Sequence, residues 1–211
     1  MPIYRLTEEL VFPPVEGAED GIVAVGGDLS SDRLMMAYRL GIFPWYSEDQ
    51  PIIWWSPDPR FVLFVDKVHV SRSMGRVLNS GAFKVTYNQN FEGVISNCKS
   101  VSRAGQDGTW ITDEMEEAYI HLHAIGEAQS VEVWQNDELV GGMYGITLGR
   151  VFSGESMFSK VSNASKVALV SFLEKFRKEG GHLLDCQVYT DHLASLGAEE
   201  ISREEFLNYL N

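Results

Sequence analysis

The spacing of apolar residues along the chain changes from segment to segment, and each spacing predicts an element. An apolar run at residues 61–70 predicts a strand, and the amphipathic segment after it predicts a helix that ends at Gly81. A second strand and helix are predicted within residues 83–101. The helix of residues 112–126 begins at Thr112, a good N-cap residue, and has acidic residues in its first turn.

The second half of the chain predicts three consecutive strands, a long helix and a further strand. Residues 130–135 alternate in a strand pattern, and two more strands are predicted within residues 138–158. The long helix is predicted from Ser162 to Gly180, and the apolar run of residues 182–188 predicts a buried strand. This order predicts an α+β fold with a mixed sheet covered by helices, arranged as in acyltransferases of the N-acetyltransferase type.

Tryptophan and proline are concentrated in residues 41–60, GIFPWYSEDQPIIWWSPDPR, which hold three of the five tryptophans and four of the seven prolines. Because proline fixes φ and donates no N–H, this segment cannot be one long regular element. A short helix is predicted before it, from Ser30 to Gly41. We therefore predict a small N-terminal module with little regular structure at residues 1–60. An acyltransferase-like catalytic domain is predicted at residues 61–211.

The formal net charge of −13 argues against a general nucleic-acid binder. Residues 61–110, however, hold 6 Lys and Arg against 3 Asp and Glu, whereas the segments on either side are acidic. This basic window is either a chance cluster or a local contact for phosphate groups.

Cysteine usage and the absence of targeting segments predict a cytoplasmic protein. Cys98 and Cys186 fit neither a disulfide framework nor a metal-ligand spacing, and the first residues lack the features of a secretory signal. No apolar run approaches the roughly 20 residues that a membrane span needs, so no membrane partner is expected.

Two polar residues share one face of the buried strand predicted at residues 182–188. Asp185 and Gln187 are two positions apart, whereas Leu184 and Cys186 lie on the other face. A buried polar side chain needs a partner or a function. Gln187 therefore either takes part in chemistry or satisfies a neighbouring backbone group, with Asp185 capping a helix.

Glycines interrupt the preceding strands, and glycine within a strand marks a bulge or a close approach to a ligand. Glu155 follows Gly154 and is predicted to share a strand face with Met157. This carboxylate is either paired with a nearby lysine or placed to bind a cation. Met143, Phe152 and Met157 either line an adaptable apolar pocket or form ordinary core.

Short motifs across residues 21–198 resemble those of one family, the bacterial leucyl/phenylalanyl-tRNA–protein transferases. The matching motifs are VGGDLS (25–30), GIFPWY (41–46), WWSPDPR (54–60), SRSM (71–74), GTWIT (108–112), VEVW (131–134), LVGGMYG (139–145), GESMFS (154–159), NASK (163–166), LLDCQV (183–188) and HLASLGA (192–198). The resemblance implies an enzyme that moves leucine or phenylalanine, and methionine less well, from aminoacyl-tRNA to proteins with an N-terminal Arg or Lys. The product is then marked for N-end-rule degradation.

The resemblance also implies roles for individual residues. Gln187 contacts the acceptor amine, Asp185 holds Gln187, and Glu155 binds cationic charge. It implies that Trp45 and Trp110 stack on the 3′ adenosine and that the amino-acid pocket is formed by Met143, Phe152 and Met157. It implies that the acceptor peptide contacts Phe158, Ser159 and Glu155. The tRNA phosphates would contact Arg72, Arg76 and Lys84. From its sequence position alone, Trp110 is either such a platform or a buried anchor of its turn.

Two rival functions remain open from the residues. One is a coenzyme-A-dependent N-terminal acetyltransferase, but the turn before the long helix, FSKVSNASK, lacks the glycines that cradle a pyrophosphate. The other is a non-catalytic module for basic N-termini, which would leave Trp45 and Trp110 without a role. We expect a monomer. The resemblance also implies that neither cofactor nor metal is needed, because the aminoacyl ester of tRNA is already activated.

Overall fold

The computed structural model describes residues 3–100 and 111–210, which form two β-sheets and the helices that cover them. The strands are Tyr4–Leu6 (β1), Ile22–Gly26 (β2), Phe43–Pro44 (β3), Ile53–Trp55 (β4), Arg60–Phe64 (β5), Lys84–Tyr87 (β6), Ala128–Gln135 (β7), Glu138–Leu148 (β8), Val151–Ser159 (β9), Leu183–Gln187 (β10) and Glu199–Ile201 (β11). The helices are Ser31–Arg39 (α1), Arg72–Leu78 (α2), Phe91–Ser100 (α3), Asp113–Ala124 (α4), Ala164–Lys178 (α5), Asp191–Ala194 (α6) and Arg203–Leu210 (α7).

The smaller sheet has the strand order β1-β2-β4-β3 and is built entirely from the first 60 residues. Trp54 anchors it: the side chain is fully buried, its indole Nε1 donates a hydrogen bond of 2.8 Å to the Gly26 carbonyl, and its ring packs edge-on against Phe12. Our expectation of little regular structure here was wrong. The strands are very short, so their period-2 pattern is too brief to detect in the sequence. The domain boundary at residue 60 stays a prediction.

The larger sheet has the order β11-β5-β10-β9-β8-β7-β6. Its strands pair antiparallel except for β9 and β10, which are parallel and are connected through α5. A parallel pair requires such a crossover. The predicted α+β class with a mixed sheet is confirmed.

Both faces of the larger sheet are covered. Helix α5 packs on one face, where Phe172 lies with its ring centroid 4.2 Å from that of Phe152. This helix follows Asn163, which stands at φ 71°, so the predicted cap at Ser162 is one residue early. On the other face, a single apolar cluster contains residues of the small sheet, α1, α3 and α4. The small module and the larger sheet therefore share a core.

Helix α7 packs on a face of the larger sheet, against β5, β9, β10 and β11. Phe206 is buried there, and Arg203 donates hydrogen bonds to Asp58 and to the Ser56 carbonyl. None of the helices in residues 3–100 and 111–210 is long and apolar enough to cross a bilayer.

Candidate functional site

A cavity of about 510 Å³ opens where β9 and β10 separate. Their parallel pairing ends at Ser153 and Asp185, and residues just beyond this pair on both strands form the walls. The lining residues are Phe43, Pro44, Trp45, Met143, Gly154, Glu155, Ser156, Met157, Leu184, Asp185, Cys186, Gln187, Val188, Tyr189, Thr190, His192 and Leu193. The predicted strand pair and the Trp/Pro segment therefore meet at one site.

Asp185 is held by a buried arginine. Arg60 Nε donates to Asp185 Oδ1 at 2.8 Å, and a terminal guanidinium nitrogen donates to Oδ2 at 2.7 Å. The guanidinium also donates to the Gly41 carbonyl and lies between the rings of Phe43 and Phe206, 4.7 and 4.6 Å from their centroids. Both carboxylate oxygens are thus occupied by a bidentate, charge-assisted pair.

Gln187 adopts a backbone conformation that is rare for a residue with a side chain. Its φ is 66°, and the pairing of β10 with β5 shifts register between Asp185 and Gln187. Such a conformation costs roughly 1–3 kcal/mol and persists only where the surroundings enforce it. The enforcing contact is the hydrogen bond of 2.9 Å from the Gln187 backbone N–H to Asp185 Oδ1. Asp185 therefore holds Gln187 through the main chain.

The Gln187 amide is fixed by its Nε2 atom, which donates to Glu155 Oε1 at 3.0 Å and lies 3.4 Å from Ser153 Oγ. No hydrogen bond to the amide oxygen is found within the described part of the chain. This oxygen is the acceptor that Gln187 can offer to a ligand in the cavity.

Glu155 reaches the cavity because β9 bulges at this residue. The pairing of β8 with β9 skips Glu155, with Gly145 beside the bulge. A Cβ atom at Gly145 would lie 2.1 Å from the Ser153 carbonyl oxygen, so no other residue fits there. The bulge turns Glu155 toward Tyr119, while Met157 packs in the apolar cluster on the opposite face. The prediction that Glu155 and Met157 share a face is wrong.

Glu155 is hydrogen-bonded, and no ion pair to it is found among residues 3–100 and 111–210. Its Oε2 accepts from the Tyr119 hydroxyl at 3.0 Å, and its Oε1 accepts from Gln187 and from Ser153. The pKa of Glu155 is raised to about 7: burial is the main cause and the charge of Asp185 adds to it, whereas the tyrosine hydroxyls oppose the rise. A carboxyl group with a pKa near neutrality is able to accept a proton at physiological pH.

A chain of buried hydroxyls extends from Glu155 into the small module. The Tyr119 hydroxyl on α4 is hydrogen-bonded to the Tyr38 hydroxyl on α1, and both side chains are almost fully buried. Burial and the charge of Glu155 raise the pKa of both phenols well above the ordinary value. They are therefore neutral donors that fix the carboxylate in place.

Trp45, with Phe43 and Pro44, forms the wall of the cavity that the small module contributes. It is partly buried, its carbonyl accepts a hydrogen bond of 2.7 Å from the Trp55 indole, and the two rings are tilted at 54°. Trp110, the second predicted stacking residue, lies outside the described residues.

Two of the three predicted amino-acid pocket residues line the cavity. Met143 and Met157 face each other across β8 and β9. Phe152 does not line it, because it is buried beneath Phe172 and Phe176 of α5. Its placement in the pocket is therefore corrected: Phe152 is core.

The structure does not bring Phe158 and Ser159 to the cavity. Phe158 is buried on the α3 face of the sheet, next to Val94. Ser159 is exposed, and its hydroxyl bonds to the Val161 carbonyl and accepts from the Ser165 N–H at the start of α5. Both side chains have structural partners, so their predicted contact with an acceptor peptide is not supported.

The three residues predicted to meet phosphate are all exposed. Arg72 and Arg76 stand one turn apart on α2, and Lys84 lies on the edge strand β6. In the described part of the chain none of the three forms an ion pair. Two other basic residues of the window, Lys67 and Lys99, are paired with acidic side chains.

Sequence reasoning overlooked two cavity residues, Tyr189 and His192, and also Arg60, which lies behind the cavity and pairs with Asp185. Arg60 and His192 lie within the motifs WWSPDPR and HLASLGA, and membership of these motifs was the sequence signal that could have identified them. His192 Nε2 is buried without a hydrogen-bond partner in residues 3–100 and 111–210, and burial together with Lys166 lowers the pKa of the imidazole. No group of three or more described His, Cys, Asp or Glu side chains is arranged to hold a metal ion.

Comparison with known proteins identifies relatives over the whole length of the chain. Residues 62–211 match the family described as leucyl/phenylalanyl-tRNA protein transferase, and residues 27–58 match its N-terminal domain. A leucyl/phenylalanyl-tRNA–protein transferase of Flavobacterium johnsoniae is 59% identical over 209 residues, with 99% of each chain covered. One of Myxococcus xanthus is 54% identical, covering 100% of this chain and 91% of the relative.

Among solved structures, FemX aligns with a TM-score of 0.53 over 82% of this chain and 66% of that chain, at 11% identity. At this identity the likeness concerns the fold alone. The N-acetyltransferase-like arrangement expected from the order of the elements is confirmed.

Proposed function

The chain belongs to the leucyl/phenylalanyl-tRNA–protein transferase family, and we propose that it transfers leucine or phenylalanine, and methionine less well, to proteins that begin with Arg or Lys. It is an aminoacyltransferase that uses aminoacyl-tRNA. The modified proteins would enter N-end-rule degradation in the cytoplasm. The observation that carries the proposal is the convergence of Gln187 and Glu155 in one cavity whose outer wall is Trp45.

The tRNA 3′ end is placed by the aromatic wall. A single-stranded end is bound by stacking of its bases, which contributes about 1–3 kcal/mol per base. Trp45 is the platform for the terminal adenosine, together with Trp110 as the family resemblance implies. Arg72, Arg76 and Lys84 remain the candidates for phosphate contact, because the acidic remainder of the chain would repel the acceptor stem.

The aminoacyl side chain enters the apolar part of the cavity between Met143 and Met157. Both methionines are unbranched and flexible, so they can repack around leucine, phenylalanine or methionine. Isoleucine and valine carry a methyl group on Cβ that would press on this wall. One methyl group alters discrimination by only about 1–3 kcal/mol, so these side chains are disfavoured and not excluded.

The reaction is attack of the acceptor α-amine on the ester carbonyl. The amine lies against the Gln187 amide oxygen, which orients it by accepting one of its N–H groups. As the C–N bond forms, Glu155 accepts a proton from the amine. It returns this proton to the ribose oxygen, which leaves as a hydroxyl group when the ester C–O bond breaks. Asp185 does not act as the base, because Arg60 occupies both of its oxygens. It positions Gln187.

The test is a transfer assay with leucyl-tRNA and an Arg-initiated peptide, read by mass spectrometry. We expect a product heavier by one leucyl residue, and no product from an Ala-initiated peptide or from deacylated tRNA. Gln187→Ala should lose most of the transfer while retaining the thermal midpoint of the parent. Binding of the peptide without product would indicate a non-catalytic module. Product formed with acetyl-coenzyme A in place of leucyl-tRNA would indicate an acetyltransferase.

A further inference from the structure

The two carboxylates deep in the cavity are already occupied. Asp185 is bound on both oxygens by Arg60, and Glu155 accepts hydrogen bonds from Tyr119 and Gln187. The charge of Asp185 is balanced by this ion pair, and Glu155 is the proton acceptor of the proposed reaction, so the cationic side chain of an acceptor protein needs a different partner. That charge must be met elsewhere in the cavity, within reach of an amine held at Gln187.

Tyr189, at the mouth of the same cavity, is the most exposed large hydrophobic side chain in the described part of the chain, with 58% of its surface accessible. Its hydroxyl donates a hydrogen bond of 2.9 Å to Asp191, and its ring centroid lies 5.2 Å from that of Phe61. The ring is therefore held in one place although it faces solvent. Burial does not explain its position.

Two carboxylates lie near the Tyr189 side chain. Asp191 is its hydrogen-bond partner, and Glu200 stands opposite Phe61 in the pairing of β11 with β5. The hydrogen bond to Asp191 and the charges of Asp191 and Glu200 raise the pKa of the phenol. Within residues 3–100 and 111–210 no ion pair neutralises either carboxylate, whereas the neighbouring Glu199 is paired with Lys67.

We propose that Tyr189, Asp191 and Glu200 bind the cationic side chain of the acceptor's first residue. The proposal rests on the proposed function, and it identifies the residues that recognise the first residue of the acceptor protein. An aromatic face attracts a cation, and a guanidinium group stacks on it better than an ammonium group does. Tyr189 is two residues beyond Gln187, a span of at most about 7 Å along the backbone, which an arginine side chain can bridge.

The charges favour a cation over a nucleotide at this aromatic ring. A nucleotide stacked on Tyr189 would bring its phosphate close to Asp191 and Glu200, and like charges repel. A protein N-terminus bearing Arg or Lys would bring the opposite charge to the same place. The acceptor protein, and not tRNA, is therefore the expected occupant.

The test is a steady-state comparison of Tyr189→Leu with the parent on matched Arg- and Lys-initiated peptides. We expect the KM for the Arg peptide to rise about two- to fivefold, and the KM for the Lys peptide to rise less. The KM for leucyl-tRNA should stay at the parent value. Tyr189→Phe keeps the ring and should lie closer to the parent than Tyr189→Leu does.

A second variant tests the charges without changing the ring. Asp191→Asn combined with Glu200→Gln should raise the KM for both peptides and reduce its dependence on salt. The matched control is Asp137→Asn combined with Glu138→Gln, which removes two exposed carboxylates at the turn between β7 and β8. A rise in the KM for leucyl-tRNA alone, or no change in any KM, would overturn the proposal. A parent enzyme without transfer to any Arg peptide would instead refute the proposed function.

Discussion

Arg60 and Asp185, 125 positions apart in sequence, form a bidentate ion pair inside the protein, with N–O distances of 2.8 and 2.7 Å. The guanidinium lies between Phe43 of the small module and Phe206 of the last helix. One residue therefore connects three parts of the chain to the carboxylate that holds Gln187. Removal of one partner of a buried pair leaves an uncompensated charge.

We predict that Arg60→Ala destabilises the protein by about 3–5 kcal/mol, because Asp185 is left buried and unpaired. Urea denaturation at neutral pH measures the change. Arg39→Ala, at an exposed position on α1, should change stability by less than about 0.5 kcal/mol. The double variant Arg60→Met/Asp185→Leu should recover stability but not transfer. A loss below about 1 kcal/mol for Arg60→Ala would show that the pair is not structurally important.

The pH dependence of transfer should reveal Glu155. Two groups must lose a proton: the acceptor amine, with a pKa of about 8, and Glu155, with a pKa of about 7. Below pH 7 the logarithm of kcat/KM should therefore rise with a slope that approaches two. Glu155→Gln should reduce the rate and leave a slope of one. An unchanged slope in this variant would exclude Glu155 as the proton acceptor.

The free energy of unfolding should also depend on pH through the titration of Glu155. Because the pKa of Glu155 is raised from 4.5 to about 7 by folding, the folded state binds this proton more tightly than the unfolded state. The contribution of Glu155 to stability is therefore fully present below about pH 4.5 and is lost as pH rises to about 7. Glu155→Gln should flatten the change in unfolding free energy over this interval. Parallel curves for the two proteins would argue against the raised pKa.

Tyr119→Phe removes a hydroxyl that donates to Glu155. Since this hydrogen bond lowers the pKa of the carboxyl, its loss should raise the pKa and move the acidic limb of the pH–rate profile to higher pH. The rate at pH 7 should fall and recover at alkaline pH. Tyr4→Phe, in the exposed strand β1, is the control. A rate that falls equally at every pH would indicate a purely structural role for Tyr119.

Met143→Ala should enlarge the apolar end of the cavity. The void should reduce transfer of leucine more than transfer of phenylalanine, because the larger phenylalanyl side chain fills part of it. The preference should therefore shift toward phenylalanine by up to about 1–3 kcal/mol. Competition between leucyl- and phenylalanyl-tRNA measures this ratio, with Met36→Ala on α1 as the control. A ratio that stays at the parent value would place the amino-acid pocket elsewhere.

Arg76→Ala should weaken aminoacyl-tRNA binding and make it less sensitive to salt. Each lost phosphate contact reduces the slope of log K against log salt by about 0.7–0.9. Arg177→Ala, an exposed arginine near the end of α5, is the matched control. If Arg76→Ala keeps the parent slope, the phosphate contacts lie on another surface.

Much of the fold could be predicted because the long elements have unambiguous periodicity. The helices α4 and α5 and the strands β7 to β9 were expected close to their observed positions, since several turns or alternations in a row exclude other conformations. The small sheet was not expected, because strands of two to five residues have no readable period. Their pairing is decided by contacts distant in sequence, such as that of Trp54 with Gly26.

For the site, the sequence by itself determined which polar residues stand in apolar strands, and so it pointed to Glu155, Asp185 and Gln187. Only the tertiary structure decided how they act. The bulge of β9 at Glu155, opposite Gly145, turned Glu155 away from the face of Met157, and burial gave its carboxyl a pKa near neutrality.

The tertiary structure also decided the partners that no local pattern encodes. Arg60 reaches Asp185 from a strand that is distant in sequence, Phe152 faces α5 and not the cavity, and Tyr189 faces solvent with its hydroxyl on Asp191. Periodicity specifies the face of a strand on which a side chain lies. It does not specify what the opposing element brings to that face, because long-range packing sets that arrangement.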